Sequence, residues 1–291
     1  MVSREALVVY HGPSCLDGLM SAAIAKMRLP HAEFMVGVYQ HEPDYDVFRD
    51  RDIFILDFSY NTEVMDKICK VAKFVVCVDH HKTAHEALKD FKRKNFIFIY
   101  DVYKSGAGLT WDLFYPNELL PDIVKYVQDR DIWKWEYVET EAVTAALYSY
   151  PSKVEVMYNF LSAGKTQLDQ LRHEGKALIR ARRLEIEKTL AYSTRIISWG
   201  LENGDIIKVP IINCPPALTS EIGNILSEQF PFAIMYFDQK NYRNFSLRSS
   251  SKNPEHVDVS TIASLYGGGG HKHAAGFKQH IDNYEIIEYH A

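Results

Sequence analysis

The sequence predicts an α/β protein with an N-terminal domain built on a mainly parallel sheet, a long connecting helix, and a smaller α/β C-terminal domain. Three observations carry that prediction. Short apolar runs without polar alternation recur through the first part of the chain, as strands covered on both faces require. Helical patterns fall between most of them. A further helical stretch, Thr166 to Ser198, contains no proline and only Gly175 as a breaker, with Leu168, Leu171, Leu178, Ala181, Leu184 and Leu190 at mostly three- and four-residue spacings.

Taken in order, Ala6 to Tyr10 (ALVVY) reads as the first strand and Leu16 to Met27 as a helix whose small residues Ala22, Ala23 and Ala25 suit close packing. Phe34 to Val38, Ile53 to Phe58, Phe74 to Val78 and Phe96 to Tyr100 read as four more strands. Helices are expected at Thr62–Ala72 and Ala84–Phe91, and another from Glu118 to Val127 that leads into "QDRDIWKW". That last helix would place Asp129 and Asp131 just past its end. Beyond the connecting helix, strands are expected at Ile206–Ile212, Phe232–Phe237 and Phe245–Arg248. The resulting domains are 1–165, 166–198 as connector, and 199–291.

Bulk properties narrow the function. With 291 residues the chain suggests about two domains. Apolar content of 47% and charged content of 24% are those of an ordinary globular protein, and the net charge of −5 excludes a basic nucleic-acid coat. The four cysteines, Cys15, Cys69, Cys77 and Cys214, show no paired spacing, which fits reduced thiols better than a disulfide framework. No apolar run reaches the length of a membrane span, and the apolar start "ALVVY" is too short for a signal sequence. A soluble cytoplasmic protein is expected, with no membrane association.

In parallel sheets, ligands bind just past the carboxyl ends of the strands. His11 follows the first strand, Asp17 lies six residues on, Asp57 closes "IFILDF", and Asp79, His80 and His81 follow "FVVCV". Carboxylates and imidazoles gathered on one edge suit Mn²⁺, Mg²⁺ or Zn²⁺. Two such ions roughly 3.5–4 Å apart can share a carboxylate and clamp a phosphoryl displacement. Asp57, central on the edge, is the natural bridge. A single strand-end Asp can instead cap a helix, and for Asp79 this reading is fair because a helix starts soon after.

A second constellation is "YGGGGHKHAAGF", Tyr266 to Phe277. Its consecutive glycines leave backbone N–H groups open to an anion, and a helix expected from about His271 would add favourable potential. A flexible linker is the bland alternative. "FSLRSS" sets Arg248 at a strand end, where its guanidinium suits bidentate phosphate contact.

These motifs together resemble the DHH phosphoesterase superfamily in its two-domain form with a DHH-associated C-terminal domain. The resemblance rests on "HGPSCLDG" (11–18), "ILDFS" (55–59), the DHH of 79–81, "KSGAGLTW" (104–111), "QDRDIW" (128–133), "SLRS" (246–249) and "GGGGHKHAAGF" (267–277). It implies metal-dependent hydrolysis of phosphate esters, with two divalent ions, Mn²⁺ first among them. Carried over, His11 binds the first metal, Asp17, His80 and Asp129 the second, and Asp57 bridges. His81 faces the scissile phosphate as proton donor or ligand support, with Asp79 and Asp131 as neighbouring catalytic groups. Arg248, Ser105, Gly268, Gly269, Gly270, His271 and His273 would hold substrate.

One departure from the family pattern is Cys15, which stands where a first-metal Asp is expected. A thiolate ligand there would favour Zn²⁺ or Fe²⁺ over Mn²⁺, and Zn²⁺, Fe²⁺, Co²⁺ or Mg²⁺ stay open in place of Mn²⁺. A small side chain packed at a helix start is the equal alternative. The implied substrate is a short nucleotide: a short oligonucleotide such as a nano-RNase takes, pAp, or a cyclic or linear dinucleotide. The rivals are a catalytically weak nucleotide sensor and a single-strand exonuclease. No obligate protein partner is implied, and a homodimer stays open.

Overall fold

The computed structural model describes residues 6–38, 41–201 and 204–282. The extreme N-terminus and the final stretch of the expected C-terminal domain lie outside them. The chain divides into two compact units, Met1–Ile179 and Arg180–Ala291.

The first unit is a parallel sheet of order β2-β1-β3-β4-β5, formed by β1 (Ala6–His11), β2 (Glu33–Gly37), β3 (Asp52–Leu56), β4 (Phe74–Asp79) and β5 (Phe96–Tyr100). Each strand sits within two residues of its expected place. Alternate residues serve opposite faces, as the two-residue period of a strand dictates. Leu7, Val9, Ile53, Ile55, Val75 and Cys77 pack with Met65 and Ile68 of α2 (Thr62–Val71). Val8, Leu56, Val76 and Val78 pack with Ala25 of α1 (Leu16–Arg28) and Leu109 of α4 (Gly106–Phe114). α3 (Lys82–Leu88) follows β4. The alanines of α1 are fully buried and allow the close approach that their size suggests.

The strand order reverses beside β1, so the crevice at the carboxyl ends of β1 and β3 is the topological switch point where ligands bind in such sheets. His11 ends β1, Asp57 follows β3 and Asp79 ends β4.

The helix expected from Glu118 forms instead as α5 (Asp122–Asp131), because Pro121 disfavours helical geometry at Leu120 and serves as N-cap. Asp129 and Asp131 therefore lie in its last turn and not beyond it. Helices α6 (Thr140–Ser149) and α7 (Val154–Ser162) complete this layer. Gly175 of the long helix α8 (Lys165–Ser193) meets α6 directly, since a Cβ there would lie 1.8 Å from the Ala142 carbonyl oxygen.

The boundary between units falls inside α8, whose Leu168 and Leu171 belong to the first core and Ile186 to the second. The helix ends earlier than expected. Thr194–Gly200 becomes strand β6, for which its β-branched residues Thr194, Ile196 and Ile197 are suited. The second unit is a mixed sheet of order β10-β11-β9-β8-β7-β6, with β7 (Ile206–Asn213), β8 (Ala233–Gln239), β9 (Tyr242–Arg248), β10 (Gly269–His271) and β11 (Ala274–His280). Helices α9 (Thr219–Ser227) and α10 (Val259–Leu265) pack on it.

The expectation of a helix at His271 is wrong. The glycine run follows the C-terminus of α10, and the Gly267 and Gly268 N–H groups donate to Ser264 and Ala263 carbonyls at 3.1 and 2.9 Å. A helix C-terminus carries negative potential, so the helix-dipole argument for anion binding falls away here. Among the described residues no helix is long and apolar enough to cross a membrane.

Candidate metal centre

Six side chains from four segments meet at the switch point. His11, Asp57 and His81 form one group, and Asp17, His80 and Asp131 form a second. Asp57 touches members of both, with His11 Nδ1 3.4 Å from its Oδ2 and His80 Nε2 3.3 Å from its Oδ1. His80 Nε2 also lies 3.3 Å from Asp131 Oδ2.

Local sequence explains each placement. Asp57 sits in the left-handed region at φ 54°, a backbone state that Asp tolerates better than most residues. Its own N–H donates to the Val78 carbonyl at 2.9 Å. Gly106 opens α4 directly against it, since a Cβ at 106 would lie 2.4 Å from the Asp57 Cβ. Gly18 is equally constrained, because its Cβ would lie 2.0 Å from the His11 carbonyl oxygen.

Asp79 is buried. Its Oδ1 accepts from the His80 and His81 N–H groups at 2.7 and 3.0 Å and meets His81 Nδ1 at 2.7 Å. Asp79 thus caps the turn and orients the His81 ring, and it belongs to neither group. Its carboxylate raises the His81 pKa, mainly through this hydrogen bond, against the opposing effect of burial.

Electrostatics separate the carboxylates. Burial would raise the Asp57 pKa, but the His11 and His80 hydrogen bonds and the charges of His80 and His81 outweigh it and hold the group ionised. Asp17 is pushed well above the ordinary range by burial and by the like charges of Asp57 and Asp131, tempered by Ser105 and the Ala107 N–H. Asp131 is raised by burial and by Asp57.

The donor set fits divalent ions. Asp17 Oδ1 accepts from Ala107 N–H at 3.1 Å, while its Oδ2 is buried with no hydrogen-bond partner. Three mutually repelling carboxylates with interleaved imidazoles form a site that a cation relieves.

The structure separates two neighbours that sequence reasoning ranked the other way. Asp129 Oδ1 accepts from Glu136 N–H at 2.8 Å, and its Oδ2 accepts from Tyr137 N–H at 3.2 Å and from the Thr140 hydroxyl. It latches the loop after α5 and is absent from both groups, where Asp131 stands. Residues two apart on a helix point about 200° from one another, so only one of them can face the crevice. That spacing was the available signal.

Cys15 is the N-cap of α1, and its thiol donates to Asp57 Oδ2 at 3.4 Å. Burial, then the Asp57 charge, raises its pKa, and neither group contains it. Ser105, expected at the substrate, is fully buried and caps α4 by accepting the Gly108 N–H at 3.2 Å. Arg130, which sequence reasoning passed over, lies 4.3 Å over the Tyr148 ring.

In the second unit, the half-buried Arg248 donates to its neighbour's carbonyl on Leu247 and to the Ser220 hydroxyl at 3.2 Å. Gly223 packs under it, a Cβ there lying 2.6 Å from the Arg248 Cγ. Ser249 and His273 Nδ1 are 3.0 Å apart. His271 is exposed in β10. Gly268 and Gly270 admit close backbone approach from Gly276 and Ala274, while Gly269 has open space.

A parallel sheet with Asp79, His80 and His81 at the end of β4, followed by a mixed-sheet unit, is a fold shared with solved proteins. The chain shares that fold with the pGpG-specific phosphodiesterase PggH of Vibrio cholerae, at 16% identity and a TM-score of 0.55, covering 98% of this chain and 96% of the other. It also shares it with Thermus thermophilus RecJ, solved in complex with Mn²⁺, at 14% identity and a TM-score of 0.53, covering 98% of this chain and 51% of RecJ. In sequence it is 28% identical over 287 residues to uncharacterized protein R106 of Acanthamoeba polyphaga mimivirus. That match covers 93% of this chain but only 66% of the relative, just under two thirds of its length. No family model matches.

Proposed function

We propose that this chain is a metal-dependent phosphoesterase acting on phosphodiester or phosphomonoester bonds of short nucleotides. The observation that carries the reading is the Asp57 carboxylate, 3.4 Å from His11 of the first group on one side and 3.3 Å from His80 of the second on the other, where it could serve both. Bound divalent ions, Mn²⁺ first among them, would supply charge neutralisation and Lewis-acid polarisation at a phosphoryl oxygen.

The residues divide the remaining work. His11 with Asp57, and Asp17, His80 and Asp131 beside Asp57, would hold the cations. Asp79 fixes the His81 tautomer, because a carboxylate at 2.7 Å keeps a proton on Nδ1. Nε2 is then the ring nitrogen left for the site, and a raised pKa suits His81 to donate a proton to a leaving oxygen. Likeness in fold to a pGpG phosphodiesterase and to RecJ supports nucleotides as the substrate class.

The test is a product assay with Mn²⁺, Mg²⁺, Zn²⁺ and Co²⁺ in turn, offering pAp, short RNA and DNA, cyclic and linear dinucleotides and pyrophosphate. Release of phosphate or mononucleotide by the wild type, and its loss in Asp57→Ala, is expected. Metal-independent turnover, or none with any substrate, overturns the reading.

A further inference from the structure

Trp133 and Trp135 follow the metal centre directly. Asp131 is in the second ligand group, and Trp133 is two residues on, so its Cα is within about 7 Å of that of Asp131. Trp133, Trp135 and Tyr266 are all rings that a base could stack on, though core packing is the commoner role for each. The structure parts them. Tyr266 stacks on Phe277 at 4.8 Å and packs against the second core. Trp133 is 71% exposed and Trp135 38%.

The pair is held in place. The rings meet edge to face, with centroids 5.0 Å apart, so that the less exposed Trp135 braces the exposed Trp133. Both residues occupy left-handed backbone, at φ 60° and 57°, a conformation costly for bulky side chains. The loop is kept in that state by Asp129, whose backbone carbonyl accepts the Lys134 N–H at 2.9 Å and whose carboxylate holds Glu136, Tyr137 and Thr140. Side chains of this size are commonly buried for packing. Here a buried acid organises a loop that spends backbone strain to put two indoles in water.

We infer that Trp133 is a nucleobase platform for the substrate and that Trp135 is a positioning residue for its ring. The inference rests on the phosphoesterase reading of the adjoining centre, which supplies the phosphate end of the same ligand. Stacking tolerates any base, so the platform selects nucleotides over other phosphates without selecting sequence.

The experiment is calorimetric titration of AMP and of ribose 5-phosphate, in Mn²⁺ buffer, into the wild type, Trp133→Ala and Trp133→Phe, with tryptophan fluorescence followed in parallel. Thermal melts confirm that each variant folds. The wild type is expected to bind AMP more tightly than ribose 5-phosphate, with fluorescence quenched only by AMP. Trp133→Ala should weaken AMP about tenfold and leave ribose 5-phosphate unchanged, and Trp133→Phe should recover most of the loss. Equal AMP affinity in the wild type and Trp133→Ala, equal affinity of the wild type for both ligands, or no AMP binding at all overturns the platform. None of these outcomes touches the hydrolysis assay with Asp57→Ala, which decides the phosphoesterase reading separately. Base-dependent quenching without hydrolysis would sustain the platform and count against the enzyme.

Discussion

Gly106→Ala puts one methyl group against the Asp57 carboxylate, which touches members of both candidate ligand groups. The new Cβ would lie 2.4 Å from the Asp57 Cβ and 2.7 Å from its Cγ and Oδ1, where ordinary contact begins at 3.4 Å. One partner must therefore move by about 1 Å. Asp57 cannot yield freely, because its backbone is in the left-handed region and its N–H is tied to Val78. Alanine's helix preference, at most about 1 kcal/mol over glycine, gains little at the first residue of α4. Overpacking of this kind costs about 1–3 kcal/mol of stability. A displacement near 1 Å at a catalytic group costs about a hundredfold in rate. The assay is phosphoester turnover and metal titration by calorimetry, with melting temperature alongside. Gly200→Ala is the control, since its Cβ has no neighbour within 4 Å. A folded Gly106→Ala protein with wild-type turnover and metal affinity would refute the shared-carboxylate geometry.

Three further outcomes are expected. Asp57→Ala should abolish turnover and lower metal occupancy in both groups while leaving the circular dichroism spectrum unchanged; retention of either metal at wild-type affinity would contradict its bridging place. Arg248→Ala should weaken substrate binding by about ten- to a hundredfold, the worth of a charge-assisted hydrogen bond, with little change in kcat; an unmoved KM would show that Arg248 does not meet substrate. Cys15→Ser keeps a donor for Asp57 and should leave metal stoichiometry and ranking unchanged, as elemental analysis can determine; loss of one metal equivalent would make the thiol a ligand.

The sheet was legible because five apolar runs, each too short for a helix and flanked by helical patterns, admit few other arrangements. His11, Asp17, Asp57, His80 and His81 were legible as one edge because a parallel sheet brings its strand ends together. What stayed hidden was set by tertiary packing. Asp129 and Asp131 look alike in "QDRD", and their difference comes from which side of α5 faces the crevice. Ser105 carries the residue type of a binding group, yet it is spent on a helix cap under Asp17. The helix expected at His271 was misplaced because a glycine run can lead into a tight strand entry as readily as into a helix. Only the hydrogen bonds to Ala263 and Ser264 tell them apart.

The latch at Asp129 bears on how function would be mapped in this protein. A mutational scan scored only on catalysis would rank Asp129 with the candidate metal ligands, since losing its grip on the loop also disturbs both indoles. The ranking would be correct as phenotype and mistaken as chemistry. Scored for metal content and substrate affinity separately, the same library would sort Asp129 with Thr140, its hydroxyl donor, and away from Asp17 and Asp131.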